Sequence, residues 1–284
     1  MHPIRSSGLL AGLLVILCVG VILDPALLRA AKEDGDPIVA AVRHNPDRRP
    51  EDMARDRYRH PVATLRFFGI RPDMTVVELH PGAGWYTRIL APLLREKGVW
   101  IGADYDPDLF PEGSRFRAAM AAFPQRVKAD PAFFGPRARA GYVVKGNYAD
   151  PESVDMVLGI RFMHNWIRNG IADKALAHVY RVLKPGGIFG VVQHRAAEDD
   201  PRDDLTLANN GYVKESTMVR LAEAAGFRLA ARSEINANPK DDRHHPRGVW
   251  TLPPTLALGD KDRATYLAIG ESDRMTLKFV KPTH

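Results

Sequence analysis

A carboxylate and a glycine turn stand between an apolar run and a helical pattern. The segment from Glu78 to Gly84 has the sequence Glu-Leu-His-Pro-Gly-Ala-Gly. Residues 75–79 are rich in β-branched side chains, which favours a strand, and apolar residues recur at helical spacing from Tyr86 onward. Glycine lets a backbone approach a ligand closely, and a helix that begins after such a turn offers unpaired N–H groups. The segment predicts a nucleotide-type binding site, although a Gly-x-Gly turn alone fits several ligand classes.

Two further polar residues stand where predicted strands end. Asp104 follows the apolar run 99–103, and a carboxylate at this position can accept both hydroxyl protons of a ribose. Asn147 follows the run 142–144, and its amide could pair with the edge of an adenine. Parallel strands have their carboxyl ends at one edge of a sheet, where open α/β sheets bind ligands. We therefore expect both residues beside the glycine turn.

Two histidines follow later predicted strands and are candidates for a general base. His164 comes after the run 154–158, and His194 comes after the run 188–192. An imidazole at the ligand edge of the sheet can take a proton from an acidic nucleophile. Asn165 and Trp166 stand beside His164, and we place Asn165 with the catalytic candidates and Trp166 in the substrate pocket. The alternative for each histidine is a hydrogen-bonded loop residue, and this alternative applies more readily to His194.

Short apolar runs alternate with helical stretches from residue 73 to the end of the chain. This alternation predicts an α/β domain with a mostly parallel seven-stranded sheet and helices on both faces. The predicted strands are residues 75–79, 99–103, 142–144, 154–158, 188–192, 229–235 and 275–280. A loop is predicted over residues 236–273, and a connection of that length in a compact domain is commonly functional.

The run from Arg181 to Gly187, Arg-Val-Leu-Lys-Pro-Gly-Gly, ends one predicted helix and leads into a strand. Together with the glycine turn and Asp104, and in the same order, it resembles the class I S-adenosylmethionine-dependent methyltransferases over residues 71–281. Residues 78–87, 163–166 and 270–275 are more narrowly similar to a group of exported, uncharacterised predicted methyltransferases. The resemblance implies a Rossmann-like methyltransferase sandwich and S-adenosylmethionine as cofactor.

By this resemblance, Glu78, Gly82 and Gly84 surround the methionine part of the cofactor, and Asp104 holds the ribose. His80 stands where the family has its first loop glycine, and Pro81 follows it. An imidazole is therefore expected beside the ligand.

Trp85 and Tyr86 follow the glycine turn directly. Either ring could face the cofactor's sulfonium, because aromatic faces attract cations by roughly 0.5–2 kcal/mol. Ordinary packing at the start of a helix explains the two aromatic residues equally well.

Residues 32–70 are polar and punctuated by prolines, which predicts an arm of short helices before the methyltransferase-like domain at residues 71–284. Arg57, Arg59 and His60 in this arm could fold over the crevice, as N-terminal helices do in the family. The alternative for each arginine is a solvated basic surface.

Residues 1–31 have the pattern of a signal peptide, with Arg5 before an uncharged apolar run and Ala30 and Ala31 after it. We therefore expect an exported protein, periplasmic or secreted. The alternative is a protein that this segment anchors in the inner membrane. Cys18, the only cysteine, lies in the segment, so a mature chain would contain neither a disulfide nor a thiolate nucleophile.

The formal net charge is +6, and the basic residues are mostly scattered. This pattern argues against a nucleic-acid partner but is compatible with peripheral contact with anionic lipid. The chain has 10 histidines, yet only His244 and His245 are adjacent and no His-Glu-x-x-His segment occurs, so no metal site is expected. The oligomeric state is not indicated.

The leading hypothesis is an exported enzyme that methylates a small molecule or an envelope component with S-adenosylmethionine. A second hypothesis is a small-ligand-binding protein on the same scaffold without catalysis, motivated by the altered loop at His80 and Pro81. A nicotinamide-dependent dehydrogenase is disfavoured, because no third glycine follows Gly84 at the required offset.

Overall fold

The computed structural model describes residues 35–283. The predicted signal peptide therefore lies outside the described residues. From Asp36 onward the chain forms one compact unit. Among the helices of the described part, none combines the length and the apolar character needed to cross a membrane.

A seven-stranded sheet forms the centre of this unit, as the sequence predicts. Its strands are β1 (Thr75–Leu79), β2 (Val99–Asp104), β3 (Arg139–Tyr142), β4 (Val154–Ile160), β5 (Leu183–His194), β6 (Arg228–Ser233) and β7 (Arg274–Val280). Their order across the sheet is β3-β2-β1-β4-β5-β7-β6. The first five are mutually parallel, whereas β7 runs antiparallel to both β5 and β6. The sheet is therefore mixed, and β7 is the strand in it that departs from the predicted parallel direction.

The direction of β7 follows from the way the chain reaches it. A parallel pair needs a crossover that returns the chain to the same edge of the sheet. Residues 234–273 contain only a short 3-10 helix at Gly248–Thr251 and a short helix at Arg263–Ile269, and the chain enters β7 at the ligand edge. The predicted loop over 236–273 thus contains two short helical segments.

Strands β3 and β5 depart most from their predicted bounds. Strand β3 ends at Tyr142, where the sequence predicts a start, and the residues after it form a turn. Strand β5 begins at Leu183 and so includes the Lys-Pro-Gly-Gly segment. The reason is backbone pairing, because Gly186 N–H donates to the Lys281 carbonyl and Lys281 N–H donates to the Gly187 carbonyl.

Helices cover both faces of the sheet. They are α1 (Pro37–Arg43), α2 (Pro50–Met53), α3 (Asp56–Arg59), α4 (Pro61–Phe68), α5 (Thr87–Leu94), α6 (Arg115–Ala129), α7 (Pro131–Phe134), α8 (Met163–Arg168), α9 (Ala172–Val182), α10 (Asp204–Asn209), α11 (Glu215–Ala224) and α12 (Arg263–Ile269). One apolar cluster joins the sheet to α8, α9 and α11, and another joins it to α1, α4, α5 and α6. Val76 belongs to the second cluster and Val77 to the first, as expected where side chains of a strand alternate between faces.

The arm of short helices packs on the sheet through its apolar edge. Leu65 and Phe68 of α4 are fully buried, and Val62 and Phe67 pack partly buried beside them. Gly190 of β5 leaves room for this contact, since a Cβ there would lie 2.9 Å from the Phe68 ring and 2.8 Å from Leu158 Cδ2. The arm is thereby fixed at the position from which it reaches the ligand edge.

Substitution Gly190→Ala should destabilise the fold by about 1–3 kcal/mol, because the added methyl group overpacks the contact between β5 and α4. Urea unfolding followed by circular dichroism measures the change. Phe68→Leu in the same chain provides the control. Phe68→Leu makes room for the added methyl group. The double variant should therefore lose less stability than the sum of the losses in the two single variants. Strict additivity would contradict the packing account.

Candidate functional site

A cavity of about 820 Å³ opens at the carboxyl ends of the parallel strands. Strand order reverses between β1 and β4, and open α/β sheets bind ligands in the crevice at such a reversal. The lining of the cavity comes from the arm, from the ends of β1, β2, β4 and β5, from the segment after β2, from helix α8 and from Trp250. The lining residues are Arg49, Asp52, Arg55, Arg59, His80, Pro81, Gly82, Ala83, Trp85, Asp104, Tyr105, Leu109, Phe110, Phe116, Met120, Ile160, Arg161, His164, Asn165, Arg168, Asn169, His194 and Trp250.

The cavity brings together a large part of the predicted site. The predicted residues that line it are Arg59, His80, Gly82, Trp85, Asp104, His164, Asn165 and His194. They come from five separate stretches of sequence, and the topology of the sheet places them at one edge.

Other predicted residues lie next to the cavity or away from it. Glu78, Tyr86 and Trp166 are buried behind its lining, and Gly84 faces a neighbouring hollow. Two more, Arg57 and His60, line a smaller cavity on the side of the arm that faces Asn236 and Ala237.

Asn147 does not reach the cavity. It lies in a separate depression, and its Oδ1 accepts a hydrogen bond of 2.9 Å from the Tyr142 backbone N–H. The side chain therefore stabilises the turn after β3, and an adenine in the main cavity would be out of its reach. Strand β3 ends earlier than the sequence predicts, and the local turn after it uses the amide.

His80 links the ends of β2 and α8. Its Nε2 accepts a hydrogen bond of 2.7 Å from the Trp166 indole N–H, and its Nδ1 lies 3.2 Å from Asp104 Oδ1. Indole N–H is only a donor, so neutral His80 carries its proton on Nδ1 and donates it to the Asp104 carboxylate. The imidazole also stacks on Tyr105 with ring centroids 3.8 Å apart.

Asp104 keeps one carboxylate oxygen for a ligand. Oδ1 accepts from His80 and from the Tyr105 backbone N–H at 2.8 Å. Among residues 35–283, no group donates a hydrogen bond to Oδ2. Since Asp104 lines the cavity, Oδ2 is the acceptor that it offers to a hydroxyl group there.

The glycine turn has an unusual backbone over three of its residues. His80, Gly82 and Gly84 have φ angles of 49°, 55° and 78°, in the left-handed region. A Cβ added to Gly82 would meet only the His80 carbonyl at 3.8 Å, so the space beside this residue is open to a ligand. Glycine is needed for this backbone, whereas His80 adopts it through the hydrogen bonds just described.

Glu78 is buried beneath the turn. Its Oε2 accepts a hydrogen bond of 2.9 Å from the Trp100 indole N–H. Burial is the main reason that the pKa of the Glu78 carboxyl is raised to about 7; hydrogen bonds from Trp100 and Thr87 oppose this shift, and the nearby Asp104 carboxylate adds to it. Glu78 therefore supports the turn from below, and its charge depends on pH near neutrality.

His164 is held in one tautomer by Gln193. The Gln193 amide is oriented by the Met163 N–H, which donates to its Oε1, and by the Gly211 carbonyl, which accepts from its Nε2. This Nε2 also lies 3.2 Å from His164 Nδ1. An amide NH₂ only donates, so neutral His164 has its proton on Nε2. Burial lowers the pKa of His164 to about 4, so that the ring acts as a neutral donor at physiological pH.

His194 is neutral as well but has a different partner. Its Nδ1 lies 2.5 Å from the Ser272 hydroxyl, which can donate or accept. Burial lowers the pKa of His194 well below its ordinary value, and the positive charge of Arg274 lowers it further. The His164 and His194 rings lie 5.7 Å apart by centroid, so both predicted bases face the same part of the cavity.

Trp85 is already in contact with cations of the protein. The guanidinium of Arg59 lies 4.6 Å from the ring centroid and that of Arg48 lies 5.1 Å from it, while the indole N–H donates to the Asp52 carbonyl. Tyr86 packs edge-on against Trp85 and is buried. These contacts favour the packing interpretation for both rings over contact with a ligand sulfonium.

An apolar wall beyond Asp104 was not found by sequence analysis. It is formed by Tyr105, Leu109, Phe110, Phe116 and Met120, from the segment after β2 and the start of α6. Phe116, Met120 and Phe123 recur at helical spacing, which predicts one face of a helix. Phe116 is more than half exposed, at 56%, and this part of α6 borders the cavity.

Within residues 35–283, the side chains of Asp241, Asp242 and His245 are the group close enough to hold a metal ion. The Asp241 oxygens already accept hydrogen bonds from the Tyr212 hydroxyl, from His245 Nε2 and from the Asp273 N–H. A hydrogen-bonded network explains this group without an ion.

Comparison with known proteins identifies the fold. A methyltransferase dependent on S-adenosylmethionine from Aquifex aeolicus superposes with a TM-score of 0.51 and 16% identity over 87% of this chain and 98% of that one. The [4+2]-cyclase SpnF gives a TM-score of 0.50 and 16% identity over 90% and 96%. Phosphoethanolamine N-methyltransferase 2 of Haemonchus contortus, in complex with S-adenosyl-L-methionine, gives 0.50 and 17% over 80% and 53%.

Neither the models of protein families nor the curated protein sequences contain a match to this chain. At 16–17% identity, the structural likeness shows the fold alone. The described chain therefore has the α/β fold of class I methyltransferases dependent on S-adenosylmethionine, as its motifs predict.

The pKa of Glu78 generates a prediction about stability. Its value of about 7 in the folded chain lies above the ordinary 4.5, so the folded state binds the proton more tightly than the unfolded state. The contribution of Glu78 to stability is greatest below about pH 4.5 and falls by about 3 kcal/mol as the pH rises through 7. Glu78→Gln should remove this loss and be more stable than the unaltered chain at pH 8.

Urea unfolding at several pH values between 4.5 and 8 measures the difference between the two chains. Glu96→Gln, an exposed carboxylate beside Arg95, is the matched control and should leave the pH dependence unchanged. A constant difference between Glu78→Gln and the unaltered chain over this range would contradict the assignment.

Proposed function

We propose that this protein binds S-adenosylmethionine in the cavity at the carboxyl ends of β1, β2 and β4 and transfers its methyl group to a small-molecule or envelope acceptor. The observation that carries the proposal is the position of Asp104, with a carboxylate oxygen available at the end of β2, beside the glycine turn after β1.

The cavity offers groups that fit the ribose and the purine of an adenosyl ligand. Asp104 Oδ2 is available to a ribose hydroxyl, and the wall from Tyr105 to Met120 provides apolar and aromatic surface for a purine ring. The open space beside Gly82 allows the ligand chain to pass close to the backbone. These residues would hold the nucleoside on the β2 side and leave the β4 and β5 side for an acceptor.

The cofactor supplies a methyl group that is already activated by a sulfonium. An acceptor lone pair forms the new bond to the methyl carbon, and the electron pair of the old carbon–sulfur bond goes to sulfur. The task of the protein is to orient the acceptor, exclude water and take up the acceptor's proton where there is one.

The two histidines divide these tasks by tautomer. His164 Nε2–H, fixed by Gln193, donates a hydrogen bond and orients the acceptor. His194 is neutral at physiological pH, and it can take the proton on Nε2 when its Nδ1–H donates to the Ser272 hydroxyl, because that tautomer leaves the Nε2 lone pair free. Asn165, whose Oδ1 accepts from Arg168 at 2.6 Å, borders the same space.

A second candidate function is ligand binding without methyl transfer. It is favoured by His80, because its Nδ1–H occupies one of the two Asp104 oxygens that a ribose diol would otherwise use. Similarity to a [4+2]-cyclase is consistent with chemistry other than methylation on this scaffold. Incubation with methyl-labelled cofactor and an envelope extract separates the two functions, since only methyl transfer labels an acceptor.

We further propose that the protein is exported, because residues 1–31 have the pattern of a signal peptide. On this proposal the acceptor is a molecule of the periplasm or of the cell envelope. Fractionation of cells that express the full chain, with detection of the protein in each fraction, tests the location directly.

Asp104→Asn should weaken S-adenosylmethionine binding by about 10- to 100-fold. It removes the charge from a hydrogen bond to the ribose, which is worth about 1.5–3 kcal/mol, while keeping the shape of the side chain. Isothermal titration with the full chain measures the effect. Asp108→Asn is the matched control, since its carboxylate pairs on the surface with Arg117 and Lys145. Equal affinity in Asp104→Asn and the unaltered chain would reject the role of Asp104.

A further inference from the structure

Three arginines pair with the buried Glu271 carboxylate, and a fourth arginine interacts with it electrostatically. Arg55 Nε donates to Glu271 Oε1 at 2.7 Å, and Arg59 Nε donates to Oε2 at 3.0 Å. Arg274 also donates to Glu271. The fourth, Arg161, follows β4 directly and interacts electrostatically with Arg274, Glu271 and Arg55. Glu271 is 2% exposed and Arg59 is 2% exposed, so these charges are almost fully removed from water.

Several N–H groups of this arginine cluster have no acceptor. Within residues 35–283, no partner is found for buried Arg55 Nη2, for Arg59 Nη1 and Nη2, or for the Nε atoms of Arg161 and Arg274. Buried donors without a partner cost free energy and are rare in folded proteins. Three of these side chains, Arg55, Arg59 and Arg161, line the cavity, so a ligand in the cavity can reach them.

The neighbouring carboxylates do not balance the cluster. Asp52 pairs with Arg49 and Arg88, and Asp56 pairs through both oxygens with Arg48. Glu271 is thus left as the counter-ion of Arg55, Arg59 and Arg274, and among residues 35–283 no ion pair is found for Arg161. An arrangement of this kind needs further negative charge, and guanidinium forks bind carboxylate and phosphate oxygens in particular.

The proposed cofactor does not supply that charge. S-adenosylmethionine carries a sulfonium, an ammonium and one carboxylate, so it is a cation overall. We propose that Arg59 and Arg161, with Arg55, form an anion subsite for the methyl acceptor, which is therefore a small molecule bearing a carboxylate or phosphate group. This inference rests on the proposed function for the identity of its occupant, whereas the subsite itself can be tested separately.

The position of the cluster agrees with this assignment. Arg161 follows β4, and the sheet places β1 between β4 and β2, where Asp104 stands. His164 and His194 border the same cavity on the β4 and β5 side. An acceptor anchored by Arg161 would therefore have its nucleophile near the two histidines and opposite the nucleoside end of the cavity.

The test uses the full chain at low ionic strength and titrates it calorimetrically with malonate, inorganic phosphate and pyrophosphate. At least one of these anions should bind with a Kd of about 1 mM or tighter. Arg161→Gln should weaken that binding by about tenfold or more, because it removes a charge-assisted hydrogen bond. Arg55→Gln, at a partly exposed position, should also weaken anion binding. This variant replaces Arg161→Gln in the test if circular dichroism shows that Arg161→Gln does not fold.

Arg71→Gln is the matched control. Arg71 is exposed and pairs with Asp73, so this change removes the same charge outside the cavity and should alter anion affinity by less than about twofold. No binding of any of the three anions, or equal weakening in Arg71→Gln and Arg161→Gln, would overturn the subsite.

Titration of Arg161→Gln with S-adenosylmethionine and with 5′-methylthioadenosine shows whether the arginines bind the methyl acceptor or the carboxylate of the cofactor. The second ligand contains the nucleoside but not that carboxylate. Unchanged affinity for both supports an acceptor subsite. Weaker binding of S-adenosylmethionine alone, with unaltered binding of the free anions, would assign the arginines to the cofactor carboxylate and overturn the proposal. If the unaltered chain binds the anions through Arg161 but not S-adenosylmethionine, the anion subsite stands and the proposed methyl transfer fails.

Discussion

The hydrogen-bonded chain from Trp166 through His80 to Asp104 joins the ends of three elements of the sheet edge. Trp166 belongs to α8 after β4, His80 follows β1, and Asp104 ends β2. The direction of both hydrogen bonds is fixed, because an indole N–H can only donate and a carboxylate can only accept. Neutral His80 must therefore accept at Nε2 and donate from Nδ1. The positive φ of His80 and the direction of Asp104 both depend on this chain, and with them depends the shape of the ligand crevice.

The same edge separates groups by charge. Aromatic and apolar side chains line the part after β2, whereas Arg55 and Arg59 of the arm pair with Glu271 and Arg161 follows β4, on the side of His164 and His194. The arm contributes through Arg55 and Arg59, which pair with a residue more than two hundred positions later in the chain. Folding of the arm onto the sheet is thus required for the charged part of the cavity to exist.

Sequence alone predicted the elements that carry the site better than the contacts within it. Asp104, His164 and His194 were found because an apolar strand ends just before each of them, and the edge of a parallel sheet collects such ends. The direction of β7 was missed, since the apolar pattern of a strand does not encode its direction. Tyr86 and Trp166 were placed near the ligand by position, but packing turns both rings into the core.

The arginine cluster and the apolar wall were harder to predict from the sequence. Arg161 occupies the residue after β4 and could have been found by the reasoning that found Asp104. Arg55 and Glu271, which pair near it, are distant in sequence, and a single sequence does not show which charges will pair. His80 was recognised as a departure from the family, yet its hydrogen bonds to Asp104 and Trp166 arise only when three strand ends meet.

Hydrogen–deuterium exchange of the full chain with and without saturating S-adenosylmethionine tests the central claim most directly, because it locates the bound nucleoside on the chain. A cofactor held between the glycine turn and Asp104 predicts slower exchange in residues 80–86 and 104–110, with unchanged exchange in α11. Unchanged exchange in both segments at millimolar cofactor, or protection confined to other parts of the chain, would contradict the account.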